Sequence, residues 1–174
     1  MHRPARAALA AGLALALSAC ATPRAPRPVP VTHTLVPGSS VSLRLPDGFR
    51  HDPELAGFAS PDQRTAIFVN ELPGSVYATM RSFSAEEFQK NGMMLHGHER
   101  VTVDGWPARL YRATQPVAGA DLRRLVLVFG DSGTSVLLTA VTPEAQQEAQ
   151  LAEVLLSAHW HRGGVLAPAD SDPR

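Results

Sequence analysis

The sequence predicts an α+β fold: an antiparallel β-sheet of about six strands flanked by two main helices. Three observations carry the prediction. Two pairs of extended apolar runs are each joined by a tight-turn string, Asp104-Gly105 in one and Gly130-Asp131-Ser132-Gly133 in the other. A helix start is written at Ser84-Ala85-Glu86-Glu87. A second helix shows in Leu151, Val154, Leu155 and Ala158, one apolar stripe at helical spacing.

Each element follows in chain order. Val41, Leu43 and Leu45 alternate with Ser42 and Arg44, a half-buried strand closed by the turn string Pro46-Asp47-Gly48. Gly57-Phe58-Ala59-Ser60 reads as a short strand, and Ala66-Ile67-Phe68-Val69-Asn70 as a stronger one stopped by Pro73-Gly74. At Ser84 the expectation is a capping box: the serine accepts from the backbone while Glu87 reaches back, starting a helix of about 8–12 residues that breaks near Gly92. Arg100 to Val103 and Trp106 to Ala113 form a hairpin around Asp104-Gly105. Leu122 to Phe129 and Thr134 to Val141 are the most apolar strands, so they belong at the centre of the sheet. Thr142-Pro143-Glu144 reads as a helix start, with Thr as N-cap, Pro in the first turn and Glu at the positive dipole end. That helix ends around His159-Trp160, before Gly163-Gly164.

The two chain ends read differently. Arg3 and Arg6 precede an Ala/Leu/Gly stretch, Ala7 to Ala16, too short to span a bilayer as a lasting helix. Leu17-Ser18-Ala19-Cys20 then resembles the lipobox of bacterial lipoproteins, matching at all four positions. The resemblance implies cleavage between Ala19 and Cys20, with diacylglycerol on the Cys20 thiol and a further acyl chain on its new amine. Cys20 is the only cysteine of the chain, and a lone free thiol has no other evident use in an exported protein. Two or more acyl chains suffice for stable membrane attachment. Ala21, rather than Asp, follows the cysteine; in the lipoproteins it resembles, that implies the periplasmic face of the outer membrane.

The expected organisation is therefore a signal peptide (1–19), a lipidated Cys and Pro-rich tether (20–37), one domain (38–164) and a disordered tail (165–174). Pro23, Pro26, Pro28, Pro30 and Pro37 keep the tether extended, with a reach of roughly 40–50 Å at ~3.1 Å per residue. Loss of Arg3 and Arg6 leaves 14 basic against 16 acidic residues in the mature chain, a balance without a polybasic footprint, which argues against nucleic acid as the main partner.

The order of motifs also carries a likeness. A strand ending Leu45-Pro46-Asp47-Gly48-Phe49 is followed by the Phe58 segment, Ile67-Phe68-Val69-Asn70-Glu71 and the capped helix. Then come Val101-Thr102-Val103-Asp104-Gly105-Trp106-Pro107-Ala108, the apolar hairpin and Ser157-Ala158-His159-Trp160. This resembles the PsbP-like/Mog-type superfamily, which includes DcrB-type bacterial lipoproteins, over roughly Leu35 to Trp160. The resemblance implies an antiparallel sheet flanked by helices. It implies no chemistry, since members include binding and assembly factors without a shared catalytic site.

Several residues carry chemistry that could make a site. Gly130-Asp131-Ser132-Gly133-Thr134 looks like the serine motif of chymotrypsin-like proteases, but the rest of that pattern is missing and the string is what a tight turn requires. His96/His98 and His159/His161 could each supply two metal ligands, with Glu99 or His51 as a third, yet nothing in the spacing demands it. Trp106, Tyr111 and Trp160 are candidates for a pocket or interface, or for filler between helix and sheet. Arg123 and Arg124 are candidates for an anionic contact, or a solvated edge. No complete catalytic constellation or non-lipid cofactor site emerges. The sequence thus points to a non-enzymatic, lipid-anchored envelope module that binds a protein partner, or to a small-ligand or lipid carrier with a pocket between sheet and helix. An envelope hydrolase is the third reading.

Overall fold

The computed structural model describes residues 32–162. The signal segment, the Cys20 lipidation site, the tether before residue 32 and the tail after residue 162 lie outside the described residues.

The α+β class is as expected, with all strand pairings antiparallel. The main sheet has seven strands: β3 (Arg50–Asp52), β4 (Gly57–Ala59), β5 (Ala66–Pro73), β6 (Met94–Val103), β7 (Trp106–Val117), β8 (Ala120–Gly130) and β9 (Thr134–Thr142). Their order is β3-β4-β5-β9-β8-β7-β6, which puts β9 in the middle with β8 beside it. A three-stranded sheet, ordered β1-β2-β10, joins β1 (Thr34–Leu35), β2 (Val41–Leu43) and β10 (His159–Trp160). The helices are α1 (Val76–Ser82), α2 (Ala85–Lys90) and α3 (Glu148–Leu156), the last preceded by a 3-10 turn at Ala145–Gln147.

Side-chain alternation divides the core into two layers, one on each face of the main sheet. Leu125, Leu127 and Phe129 of β8 and Val136, Leu138 and Ala140 of β9 point to one face, where they pack with α3 and the small sheet. Val126 and Val128 point to the other, with Tyr111 and Ala113 of β7 and the buried residues Val76, Met80 and Phe88 of α1 and α2. Because both faces are covered, β8 and β9 read as continuous apolar runs rather than alternating ones.

The first hairpin turns as its sequence predicts. Asp104 (φ +50°) and Gly105 (φ +80°) both have positive φ, as a type I′ two-residue loop requires. Ala118 (φ +49°) and Gly119 (φ +82°) make a second such turn between β7 and β8; an Ala-Gly pair is a weak signal, so both strands run further than their composition suggests.

Several expectations are corrected. Ser84 does cap α2 by accepting the Glu87 amide at 3.2 Å, but Glu87 does not reach back. Its carboxylate takes Lys90 at 2.9 Å instead, and the Ser84 amide goes to the Ser82 carbonyl. The helix stops after six residues, at Gly92 with φ +69°. Thr142 ends β9 rather than capping a helix: its hydroxyl accepts the Glu144 amide and donates to Gln147. The helix proper therefore begins only at Glu148. His159-Trp160 is a strand, not a helix end, because it pairs with Ser42 and Val41. Thr34 to Val36, assigned from sequence to the tether, are part of the fold through β1 and the fully buried Val36. α1 was not foreseen; its start is held from outside, by the Val76 amide donating to the Asp131 carbonyl.

Candidate functional site

The α1–α2 face carries a concavity that begins with a local sequence device. Phe83 precedes the Ser84 cap and Phe88 lies in the first full turn of α2, the spacing of a hydrophobic staple. The two rings meet edge to face at 5.8 Å, and both lean on Tyr111, at 5.0 and 6.1 Å. The Tyr111 hydroxyl is satisfied by the Met80 carbonyl at 3.1 Å. This aromatic knot draws α2 toward β6 and β7, while α1 lies over the end of β8 and β9. Between them part of β5, β9 and β8 is left open.

The result is a groove of about 340 Å³, walled by Phe83, Phe88 and Met93 and floored by Phe68, Val126, Leu137 and Thr139. Arg124 lies along it, with Ser82, Glu87 and Asn91 at the rim. Arg124 is half-buried, and its Nε donates to Gln115 Oε1 at 2.8 Å. Desolvation lowers its pKa, although a guanidinium stays charged at neutral pH. Among the described residues no carboxylate forms an ion pair with it, whereas Arg64 and Arg162 each have one and Arg112 has two, Glu99 and Glu148. Glu87 is turned to Lys90, whose ammonium is held above its ordinary value by hydrogen bonds to Glu87 first and Glu86 second. The site is thus an apolar trough with an unneutralised cation at its floor. A larger cleft of about 750 Å³ beside β3 and β4 is walled by exposed polar residues such as Arg50 of β3 and Glu54 and Gln63 of the loops, which give a ligand little apolar surface.

The sequence candidates divide among three places. Arg124 is in the groove, but Arg123 faces the opposite side of the sheet, as adjacent strand residues must. Tyr111 supports the groove from behind. Trp106 and Trp160 lie across the sheet in the other core layer, so the three aromatics do not line one pocket. The two indoles meet edge to face at 5.2 Å, and Arg162 covers Trp106 at 5.4 Å. Trp160 Nε1 donates to Ser40 Oγ at 2.9 Å, and Ser40 donates through its amide and hydroxyl to the Glu71 carboxylate. This is a fastening for the small sheet.

The His96/His98 pair is divided by its surroundings, whereas the His159 and His161 rings meet edge to face at 4.6 Å. His96 sits in a β-bulge of β6, where the register shifts between Leu95 and Gly97, and bonds Thr114 at 2.6 Å. His98 instead leans on the Tyr111 ring at 5.3 Å. His159 pairs with Asp104 at 2.9 Å and His161 bonds Ser42 at 3.0 Å. No three candidate ligands converge to hold a metal among the described residues. Burial alone would raise the Asp104 carboxyl. The Trp160 amide and the neighbouring His159 and His161 outweigh it and hold the group below its ordinary value.

The Gly130-to-Thr134 string is a turn. Asp131 accepts the Gly133 and Thr134 amides at 2.7 and 2.8 Å and pairs with Arg162 at 2.7 Å. Those amides, first Gly133 and then Thr134, lower its pKa. Its carboxylate is committed to the turn, and Ser132 sits exposed at the tip.

No protein-family model matches the chain, and no curated protein matches it. Solved structures do. CyanoP, the cyanobacterial PsbP of Synechocystis sp. PCC 6803, aligns with a TM-score of 0.54 at 14% identity, over 74% of this chain and 91% of that one. A protein from Bacteroides thetaiotaomicron VPI-5482 aligns at 0.49 and 15% identity over 75% of this chain, which spans only 48% of that protein. LpqN, involved in cell envelope biogenesis of Mycobacterium tuberculosis, aligns at 0.48 and 17% identity, over 74% and 82%. At such identity the likeness to CyanoP shows a PsbP-like fold and nothing of function.

Proposed function

We propose that this chain is a lipid-anchored, non-enzymatic binding module of the cell envelope, whose working surface is the groove between α1–α2 and the main sheet. The single observation carrying this reading is that groove: preformed, apolar and within the size range of small-ligand sites. The lipobox-like Leu17-Ser18-Ala19-Cys20 supports the envelope address, as does the resemblance of the motif order to DcrB-type lipoproteins. Of the two kinds of cargo the sequence leaves open, a small ligand suits a concavity of about 340 Å³ better than a folded protein. A protein partner is the second reading, favoured by Tyr77 on α1 and Met94 on β6, which are 66% and 60% exposed and suit the aromatic and Met-rich make-up of interfaces.

Native mass spectrometry of the chain purified from envelopes tests the proposal. The expected result is a bound mass on the wild type that disappears in Leu137→Trp, which fills the groove floor. No bound mass, or the same mass on both proteins, would count against it.

A further inference from the structure

We infer that the groove is a site for a fatty-acid-type amphiphile, with the ligand's carboxylate on Arg124 and its chain along Phe68, Phe83, Phe88 and Leu137. The inference rests on the binding-module reading and names its ligand class.

The argument begins with Arg124. A half-buried guanidinium is unfavourable unless an anion or a full set of acceptors meets it. Among the described residues only its Nε is engaged, by Gln115, and the remaining N–H groups form a fork matched to a carboxylate. Gln115 lies across from Leu122 on the paired strand, and its hydrogen bond to Nε limits how far the guanidinium can turn away. The rim carboxylate that could have neutralised it, Glu87, is held by Lys90 instead. The fork of Arg124 is therefore matched by a ligand's anionic group rather than by a carboxylate of the rim.

The rest of the ligand follows from the walls. Beyond Arg124 and the rim carboxylate of Glu87, which Lys90 neutralises, they are aromatic, aliphatic or thioether, with Ser82, Asn91 and Thr139 as the uncharged polar exceptions. A bare anion such as phosphate would leave those walls wet. A neutral apolar ligand would leave the guanidinium desolvated and unpaired. A single carboxylate on a flexible hydrocarbon chain meets both requirements, and Met93 is the kind of deformable side chain that accommodates chains of varied length.

The test uses the full chain carrying Cys20→Ser, which cannot be acylated and so needs no detergent to compete for the groove. Laurate and dodecanol, equal in chain length but differing in charge, are titrated by calorimetry. Laurate is expected to bind one-to-one and more tightly than dodecanol. Arg124→Gln is expected to weaken laurate about ten- to a hundred-fold, the range of a lost charge-assisted hydrogen bond, while leaving dodecanol unchanged. Arg123→Gln, the same charge change on the opposite face, is expected to alter neither.

Equal affinities for laurate and dodecanol in the unsubstituted groove would overturn the inference, as would equal effects of Arg124→Gln and Arg123→Gln. If Arg124→Gln loses both ligands, Arg124→Lys decides. Preference for laurate retained there supports the inference, and dodecanol bound without that preference overturns it. Should Leu137→Trp abolish an envelope-derived bound mass while laurate shows no dependence on Arg124, the binding-module reading stands and the ligand class falls.

Discussion

Gly130 shows how much a single residue settles about the Gly-Asp-Ser-Gly string. Its φ is +140°, and a Cβ there would come within 2.2 Å of the Thr134 carbonyl oxygen, a backbone atom that cannot move aside. Gly133 differs: a Cβ would meet only Asp131 Oδ1, at an ordinary 3.6 Å. We predict that Gly130→Ala lowers stability by more than about 1 kcal/mol, while Ser132→Ala stays within about 0.5 kcal/mol. Urea unfolding of the two variants checks this. A strongly destabilising Ser132→Ala would mean the hydroxyl does something a turn does not need.

At the scale of elements, α2 is the weakest wall of the groove, because six residues cannot hold a helix without help. Its help is the Ser84 cap and the Phe83–Phe88 staple. Ser84→Ala is expected to cost about 1 kcal/mol, visible as faster amide exchange in α2 with β8 and β9 unchanged; uniform loss of protection would contradict it. The staple was present in the sequence as Phe83-Ser84-Ala85-Glu86-Glu87-Phe88, and the hairpins were equally legible at Asp104-Gly105 and Gly130 to Gly133. These are signals between near neighbours. β1, β3 and β10 escaped the sequence because their two or three residues show neither the apolar alternation that marks β2 nor the apolar run that marks β4, and α1 is started by a bond from a distant turn. The groove was half legible. Arg124 and a pocket between sheet and helix could be suspected, but which face each Arg takes depends on register. The same dependence scattered Trp106, Tyr111 and Trp160.

For the whole molecule, acid is the informative stress. Asp104 and Asp131 have folded pKa values below the ordinary carboxylate value, which is about 3.9 for Asp. Depressed carboxylates add stability that is fully present above that value and lost as pH falls through the lower folded values. Stability should therefore be insensitive to these groups near neutrality and decline below about pH 4. Asp104→Asn is expected to be less stable at neutral pH and to show a shallower acid decline in urea midpoints, since Asp104 bonds both the Trp160 amide and His159. An unchanged acid slope would refute the assignment. At the same scale, Cys20→Ser is expected to move the chain from the membrane to the soluble fraction, and retention in the membrane would exclude the lipid anchor.

β2 has a mechanical role that follows from its neighbours. The chain enters the domain along one edge of this strand, as β1, and leaves it along the other, as β10. A pull at residue 32 is thus taken first by two residue pairs, Thr34 with Leu43 and Leu35 with Ser42, and not by the long ladders of the main sheet. The groove lies behind that sheet, on the face the load does not reach. β1 can peel like a fuse under tension while the Arg124 trough keeps its shape.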